Sequence, residues 1–403
     1  MDPIRNPYSP SAGAQPTELV GRHEQINAFE ILLGRIARGR PQQSMIITGL
    51  RGVGKTVLLG RFREIAFREN WIAVELEASK HDESTFRSRI GASLRTVLYQ
   101  LSPRDKWSDR LKAVASLLTS FSLSVDPDGN VRAGVDVKPE SIWEGGSDLS
   151  IDLTEILLNV GRAAQEHKRA VVLLIDELQF LQGHQLEALI SALHRVVQHG
   201  LPLTMCAAGL PQIAELAGDA KSYAERLFNF VSLGNLSPEE AKNAIRIPAA
   251  EEGVHFEEDA LELIADITEG YPFFVQELGS AVWTVAEGDT VTAKDVEAAR
   301  ELYQAKLDGS FFRVRLDRTT DLQRAYLRAM AELGSAPAQS SEIAAKMGRT
   351  SQNVAPVRAE LINMGLLYTP QHGMAAFTVP QFDQFLLRAI PVLEVPPLRK
   401  RKH

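Results

Sequence analysis

The sequence predicts an α/β domain built on a parallel sheet, followed by an all-α domain and a winged-helix domain. Three observations lead to this prediction. Strand and helix signals alternate over residues 18–235, as they do in βαβ units. Helical periodicity then runs without strand signals over residues 236–305. Residues 321–390 read as a helix, a helix-turn-helix and two strands around a glycine-containing turn, which is the winged-helix arrangement.

The α/β domain contains four predicted strands, separated by helices that include Ser84–Leu101 and Leu153–His167. The strands lie near Met45–Thr48, Trp71–Leu76, Val171–Ile175 and Leu203–Ala207. Residues 117–150 interrupt the pattern, because the β-rich stretches Phe121–Val125 and Val131–Val137 flank an Asp-Pro-Asp-Gly-Asn turn. We expect an inserted β-hairpin and linker there. The hairpin is either a surface embellishment or a contact for a partner or DNA, and the sequence leaves both open.

The remaining segments connect or flank these domains. Residues 1–17 are rich in Pro, Ser and Gly and predict disorder. Ser237 and Thr292 begin helices of the all-α domain, each with an acidic residue three positions later, the pattern of a capping box. Residues 306–320 form a charged connector. Residues 391–403 end in Arg-Lys-Arg-Lys-His and predict a flexible basic tail.

A phosphate-binding loop is predicted at residues 49–56. They read Gly-Leu-Arg-Gly-Val-Gly-Lys-Thr, which is the Walker A pattern, and they lie between a strand and a helix. The glycines let backbone N–H groups turn toward a phosphate chain, and the helix N-terminus adds its positive dipole end. We expect Lys55 to pair with the β- and γ-phosphates and the Thr56 hydroxyl to ligate Mg²⁺. The alternative is a glycine-rich turn without a ligand.

The strand at 171–175 ends in the acidic pair Asp176-Glu177. Its five apolar residues predict a buried parallel strand, and ligands of α/β sheets lie at the carboxyl ends of such strands. Asp176 is therefore expected to hold the Mg²⁺ shell, the Walker B role. Glu177 is expected to polarise the attacking water as general base. The alternative is a solvated acidic turn.

Composition narrows the class of protein. The chain has 403 residues, enough for two or three domains, with 44% hydrophobic residues and 24% charged residues. Its net charge of −7 gives no electrostatic footprint for nucleic acid. The single cysteine, Cys206, excludes a disulfide within the chain and a cysteine-based zinc site. Since neither an apolar signal segment nor a transmembrane run is evident, we expect a cytoplasmic protein without membrane contact.

The chain has a Walker A loop and a Walker B strand, then an all-α domain, then a winged helix. In this order they resemble the AAA+ ATPases of the origin-recognition and initiator type, the archaeal-type ATPases and the STAND NTPases. The resemblance spans residues 18–390 and implies a Mg²⁺-dependent ATPase whose all-α domain is a lid. It favours ATP over GTP. It also implies nucleotide contacts along the whole loop and the residue after it, namely Gly49, Leu50, Arg51, Gly52, Val53, Gly54, Lys55, Thr56 and Val57.

Two shorter matches extend the resemblance. Leu19-Val-Gly-Arg22 is similar to the V-G-R box that lines the adenine pocket in these families, which implies nucleotide contacts for Val20, Gly21 and Arg22. The alternative is an ordinary loop before the first helix. Arg226 lies where these families often carry an arginine finger, which reaches a neighbouring subunit's γ-phosphate in a homo-oligomer. The alternative is a surface arginine in an ion pair.

Two departures from the family pattern favour slow hydrolysis. The strand at 203–209 lacks a polar residue at its end, where these families place a sensor of the nucleotide. No arginine lies between residues 247 and 299, and the lid carries Gly270-Tyr-Pro272 instead, as STAND proteins do. On that resemblance Pro272 contacts the nucleotide. A nucleotide-gated switch fits these departures better than a motor.

The winged helix has two open interpretations. Its second helix would present Gln352, Asn353 and Arg358 to DNA, with Arg349 in the preceding turn. However, residues 321–390 carry six Lys/Arg against five Asp/Glu, a weak charge for phosphate binding. Pro356 also lies inside that helix. The sequence therefore leaves open whether the domain binds double-stranded DNA or a protein, as in a STAND-like scaffold that uses ATP as a structural ligand.

Overall fold

The computed structural model describes residues 1–11, 13–16, 18–79, 82–122 and 148–397, and these form two compact units. The sheet unit comprises Arg22–Gly49 and Lys55–Leu233. The helical unit comprises Met1–Gly21, Leu50–Gly54 and Gly234–His403. The middle of the predicted phosphate loop is thus grouped with the helical unit, although the loop begins and ends in the sheet unit.

The sheet unit is built on a parallel five-stranded sheet, which confirms the predicted fold class. Its strand order is β2-β3-β4-β1-β5, and every pairing is parallel. The strands are β1 (Ser44–Thr48), β2 (Trp71–Glu77), β3 (Ala170–Asp176), β4 (Leu203–Gly209) and β5 (Phe228–Ser232). The four predicted strands are confirmed within two residues at each end, whereas β5 was not predicted. Central strands β3 and β4 are buried along almost their whole length because helices cover a parallel sheet.

Helices surround this sheet, and none of the described helices is long and apolar enough to cross a membrane. They are α1 (His23–Ala37), α2 (Lys55–Arg68), α3 (Glu83–Leu101), α4 (Asp109–Ser122), α5 (Leu149–Glu166), α6 (Gly183–Gln198), α7 (Ile213–Ala220) and α8 (Ala224–Leu227). Aspartates cap two of them: Asp82 accepts a hydrogen bond from Thr85 N, and Asp148 accepts one from Ser150 N, both at 2.8 Å.

The predicted hairpin at 117–150 is partly wrong. Its first strand was expected to begin at Phe121, but Phe121 and Ser122 end helix α4. The apolar side chains Val114, Leu118 and Phe121 recur at helical spacing and are buried, so helical packing extends through this stretch. Residues 148–150 likewise belong to the start of α5 and its cap. The predicted turn and second strand lie at 123–147, outside the described residues.

The all-α part of the helical unit contains four helices and one short strand pair. The helices are α9 (Pro238–Glu251), α10 (Glu258–Thr268), α11 (Pro272–Val285) and α12 (Ala293–Lys306), and the strands are β6 (His255–Phe256) and β7 (Thr290–Val291), which pair in parallel. Both predicted capping boxes are present, at Ser237 with Glu240 and at Thr292 with Asp295. The connector is helical, with a π-helix at Leu307–Phe312 followed by α13 (Arg313–Asp317).

The N-terminal segment differs from the disorder predicted for residues 1–17. Residues Pro3–Arg5 form a 3₁₀ turn, and Tyr8 is only 4% exposed. The Tyr8 hydroxyl donates to the Ile245 carbonyl at 2.9 Å, and the Met1 ammonium donates to the Ala286 carbonyl at 2.7 Å. One buried aromatic ring and these two hydrogen bonds order a segment whose composition is that of a flexible tail.

Residues 321–397 have the elements predicted for a winged helix. The helices are α14 (Asp321–Ala331), α15 (Ser340–Lys346), α16 (Ser351–Asn363) and α17 (Phe382–Ala389), and the strands are β8 (Ala338–Gln339), β9 (Leu367–Tyr368) and β10 (Met374–Phe377). The strands pair antiparallel in the order β8-β10-β9. Helix α16 is continuous through Pro356. Strand β8 and helix α17 were not predicted, and the domain boundaries at 236–305 and 321–390 remain predictions.

Candidate functional site

The loop of residues 49–56 joins β1 to α2, as the Walker A pattern requires. At its start, Gly49 N donates to the Gly209 carbonyl at the end of β4, at 3.1 Å. At its end, the Lys55 ammonium donates to the Gly49 carbonyl at 2.9 Å, and the side chain is only 7% exposed. The ammonium is thereby held over the beginning of the loop, where a phosphate chain would need a positive charge.

The loop and the acidic pair meet at the carboxyl end of β3. The Thr56 hydroxyl donates to Asp176 Oδ2 at 2.6 Å, and Asp176 Oδ1 accepts from Glu177 N at 2.8 Å. A hydroxyl and a carboxylate are hard oxygen donors of the kind that Mg²⁺ prefers, and Mg²⁺ takes its remaining ligands from phosphates and water. These two side chains therefore fit Mg²⁺. The described residues contain no group of three or more His, Cys, Asp or Glu side chains arranged to hold a metal by themselves.

Glu177 is held by a glutamine that the sequence analysis missed. Its backbone is left-handed, with φ of +54°, so the chain turns out of the strand direction directly after β3. Gln179 Nε2 donates to Glu177 Oε2, while Gln179 Oε1 accepts from Leu210 N at 3.0 Å. Gln179 thus connects the predicted general base to the loop after β4. Two features of the sequence could have indicated this role. Gln179 is a polar residue two positions after Glu177, and the neighbouring strand β4 ends without a polar side chain.

The two shorter motif matches have different surroundings. Arg22 is 6% exposed and precedes α1, whereas Val20 is half-buried. Gly21 has φ of +72°, and a Cβ there would lie 2.7 Å from Glu240 Cδ. Arg226 is exposed on α8, and its side chain forms no ion pair with any residue that the structure describes. The ion-pair interpretation of Arg226 therefore finds no support, and its role as a finger stays a prediction.

Residues Leu50–Gly54 pack within the helical unit. Gly52 has φ of +81°, and a Cβ there would lie 2.6 Å from the Tyr271 hydroxyl oxygen, so only glycine fits. Arg51 N donates to the Thr378 carbonyl at 3.3 Å. In the Gly270-Tyr-Pro272 motif it is therefore Tyr271 whose side chain reaches the loop. Pro272 is the first residue of α11, where its missing N–H costs nothing.

The side chains predicted to read DNA divide into two groups. Gln352 and Asn353 are exposed at the start of α16. Arg358 Nη2 instead donates to Thr369 Oγ1 at 3.0 Å and to the Met374 carbonyl at 2.6 Å. These bonds connect α16 to the segment of strands β9 and β10. Arg349 donates to the Pro396 carbonyl. Both guanidinium groups thus donate hydrogen bonds within the chain, and DNA contacts by these four side chains stay a prediction.

Two family models match the sequence. Residues 18–206 match the AAA ATPase domain, and residues 309–386 match a domain of unknown function, DUF8462. No curated protein matches the chain. The first match covers both the loop at 49–56 and the acidic pair at 176–177, so the residues that meet at β3 lie inside the segment that matches the ATPase domain.

Solved structures share the fold at low sequence identity. The Walker-type ATPase of Pyrococcus abyssi is 14% identical, with a TM-score of 0.54, over 92% of this chain and 97% of that one. The ORC2 protein of Aeropyrum pernix, solved as ADPNP–ADP complexes, is 16% identical, with a TM-score of 0.51, over 95% and 98% of the two chains. The protein therefore has the fold of these two solved structures.

Proposed function

We propose that the protein is a Mg²⁺-dependent ATPase that works as a nucleotide-gated switch, in which ATP binding and slow hydrolysis control DNA binding or assembly. The observation that carries this proposal is the contact between Thr56 and Asp176, with Glu177 placed beside it by the hydrogen bond from Gln179. A turn that merely connected β1 to α2 would not require a hydroxyl, a metal-binding carboxylate and an oriented second carboxylate at one sheet edge.

In this proposal each side chain has one task. The N–H groups of residues 49–56 and the Lys55 ammonium bind the phosphate chain. Thr56 and Asp176 would hold Mg²⁺, which would neutralise charge on the phosphates when bound. Glu177 accepts a proton from a water molecule while the oxygen of that water attacks the γ-phosphorus. The bond from the γ-phosphorus to the β,γ-bridging oxygen then breaks, which releases ADP. Slow turnover is expected because neither β4 nor residues 247–299 supply the family's usual polar sensors.

The second candidate function is a STAND-like scaffold that keeps ATP as a structural ligand and uses its winged helix to bind protein. The internal hydrogen bonds of Arg349 and Arg358 favour it, because they occupy donors of two guanidinium groups that would otherwise be available to DNA. Gln352 and Asn353 remain exposed and support the DNA interpretation. Multiple turnover that Glu177→Gln abolishes would count against the scaffold.

Two substitutions test the ATPase proposal. Lys55→Ala should weaken Mg-ATP binding by about a hundredfold or more, because a buried phosphate would lose its charged partner. Glu177→Gln should retain ATP binding and lower phosphate release about a hundredfold, within the range found for general bases. Binding is measured by titration with a fluorescent ATP analogue and hydrolysis by phosphate release.

Matched controls are Lys168→Ala, at a turn after α5, and Glu225→Gln, at an exposed position on α8. Both should behave as wild type. Unchanged ATP affinity in Lys55→Ala would refute the nucleotide site. Wild-type phosphate release in Glu177→Gln would refute the role of Glu177 while leaving ATP binding intact.

A further inference from the structure

A short segment at residues 2–9, here called the strap, lies along helices α9 and α11, and all three belong to the helical unit. Its polar contacts follow α11 in descending order: the Asp2 carbonyl accepts from Trp283 Nε1 at 2.9 Å, Asn6 Nδ2 donates to Ser280 Oγ at 3.1 Å, and Ser9 N donates to Gln276 Oε1 at 3.2 Å. The strap therefore runs antiparallel to α11. Because it also contacts α9, it fills the groove between the two helices as a bound peptide would.

Tyr8 is the only buried side chain of the strap, with 4% of its surface exposed. Its hydroxyl donates to the Ile245 carbonyl of α9 at 2.9 Å, and its ring meets the Trp283 ring of α11 edge to face, with centroids 6.2 Å apart. A Cβ on Gly279 would lie 3.0 Å from the Tyr8 ring and 2.7 Å from Ile245 Cδ1. The glycine therefore leaves open a slot that the tyrosine ring fills.

The residues that precede Tyr8 give the strap its direction. Asn6 Oδ1 accepts from Tyr8 N at 3.0 Å, which closes a turn around Pro7 and aims the tyrosine at the slot. Arg5 Nε donates to the Glu252 carboxylate at 2.9 Å, and Arg5 Nη2 donates to the Glu252 carbonyl at 2.7 Å, directly after α9. One buried aromatic anchor with polar contacts around it is the usual anatomy of a peptide-binding site.

The chain between the strap and α1 carries little packing. None of the described residues between 9 and 21 is buried, and the segment is rich in Pro, Ser, Gly and Ala. Residues 10–20 can span about 35 Å when they are extended. Since Tyr8 is the only buried contact that must be broken, the strap can leave its groove without disturbing the core of the helical unit, and it can reach a neighbouring groove.

We propose that the groove between α9 and α11 is a recognition site for the segment Arg5–Tyr8, and that it takes this segment from a second copy of the chain as well as from its own. The occupant is a second copy because each copy carries the peptide that the groove already holds. Exchange breaks and remakes the same contacts, so it has little cost in contact energy.

The strap of the same chain is the competitor in this exchange. Its effective concentration at the groove is on the order of millimolar, so it occupies the groove in a dilute monomer. When two copies are held side by side, the strap of the neighbour reaches a similar effective concentration. Exchange then links the two copies through their helical units. This linkage does not involve the residues at 49–56 or 176–177.

Two full-length variants separate the strap from its groove. Tyr8→Ala removes the anchor and leaves an empty slot, whereas Gly279→Val fills the slot and leaves a free strap. A single aromatic anchor with a few hydrogen bonds corresponds to a dissociation constant on the order of 10 µM. In an equimolar mixture at about 100 µM of each variant, molar mass by light scattering should rise to about 1.5 times that of either variant alone. Association stops at the heterodimer, because its remaining strap lacks Tyr8 and its remaining slot is filled.

The matched control mixes Tyr8→Ala with a copy that carries both Tyr8→Ala and Gly279→Val. That pair has an empty slot and no strap to enter it, so its mass should equal the mean of the separate proteins. The same result for the complementary pair would overturn the proposal. If Gly279→Val lacks the melting transition of wild type, Gly279→Ala replaces it as the donor of the strap.

A second arm titrates full-length protein into a fluorescent peptide with the sequence of residues 2–11. Tyr8→Ala should bind the peptide at least about tenfold more tightly than wild type does, because the wild-type slot is already occupied. A peptide with alanine in place of Tyr8 should not bind. Equal binding by Tyr8→Ala and wild type, or binding by neither, would overturn the recognition site. Peptide binding without a heterodimer in the mixture would overturn the second copy as its occupant.

Discussion

At the scale of single residues, Glu177 depends on Gln179. Gln179 donates to the Glu177 carboxylate and accepts from Leu210 N, so its amide joins the predicted general base to the end of β4. That strand ends without a polar side chain of its own. Gln179 is therefore positioned to supply, from a neighbouring loop, the polar link that β4 lacks.

Removing the amide of Gln179 should lower hydrolysis without weakening ATP binding. Gln179→Ala removes the hydrogen bond to Glu177 Oε2 and the acceptor of Leu210 N, so the Glu177 carboxylate is no longer held in one place. Phosphate release should fall about tenfold, with ATP affinity unchanged. Gln165→Ala, exposed on α5, is the control. Phosphate release at the wild-type rate would show that Gln179 does not position Glu177.

The candidate site was predictable only where its residues are close in sequence. Lys55 and Thr56 share one motif with the glycines, and Asp176 with Glu177 ends one apolar run. The contact of Tyr271 with the loop has no such signal, because Tyr271 and Gly52 are far apart in the sequence and meet only in the folded unit. The Gly-Tyr-Pro motif at 270–272 was recognised, but spacing could not show that its tyrosine reaches the loop.

At the scale of elements, length and periodicity decided what could be predicted. Strands β1 to β4 have five to seven residues, most of them apolar, and were recognised. Strand β5 alternates Phe-Asn-Phe-Val-Ser and lies in a segment that the resemblance assigned to an arginine finger. Strand β8 has two residues and exists through its pairing of Gln339 with Met374, which no local pattern encodes.

The exposed start of α16 is where the DNA interpretation can be tested. Gln352→Glu with Asn353→Asp replaces two exposed amides by acids and should weaken duplex binding about tenfold, because each acid repels phosphates. The double variant is compared with wild type in a mobility shift at fixed salt.

The control for this experiment is Asn70→Asp with Gln165→Glu, which makes the same chemical change at exposed positions of the sheet unit. It should bind the duplex as wild type does. Equal weakening in both pairs would point to net charge rather than α16. Absence of duplex binding in wild type would favour the winged helix as a protein-binding module.

At the scale of the whole molecule, the central loop residues Leu50–Gly54 group with the helical unit, while Lys55 and Thr56 belong to the sheet unit. The eight residues of the predicted phosphate loop are thus divided between the two compact units. A net charge of −7 leaves specific contacts, rather than overall attraction, to select a partner.

The measurement that tests the switch most directly is molar mass by light scattering of Glu177→Gln, with Mg-ATP, with Mg-ADP and without nucleotide, each with and without a mixed-sequence duplex. Because this variant should bind ATP without consuming it, we predict a higher mass with Mg-ATP than with Mg-ADP, as assembly, duplex capture or both. Adding Arg226→Ala to that variant should reduce ATP-driven assembly, whereas adding Arg38→Ala, at an exposed position after α1, should not. The same monomer mass in all six conditions would contradict the account.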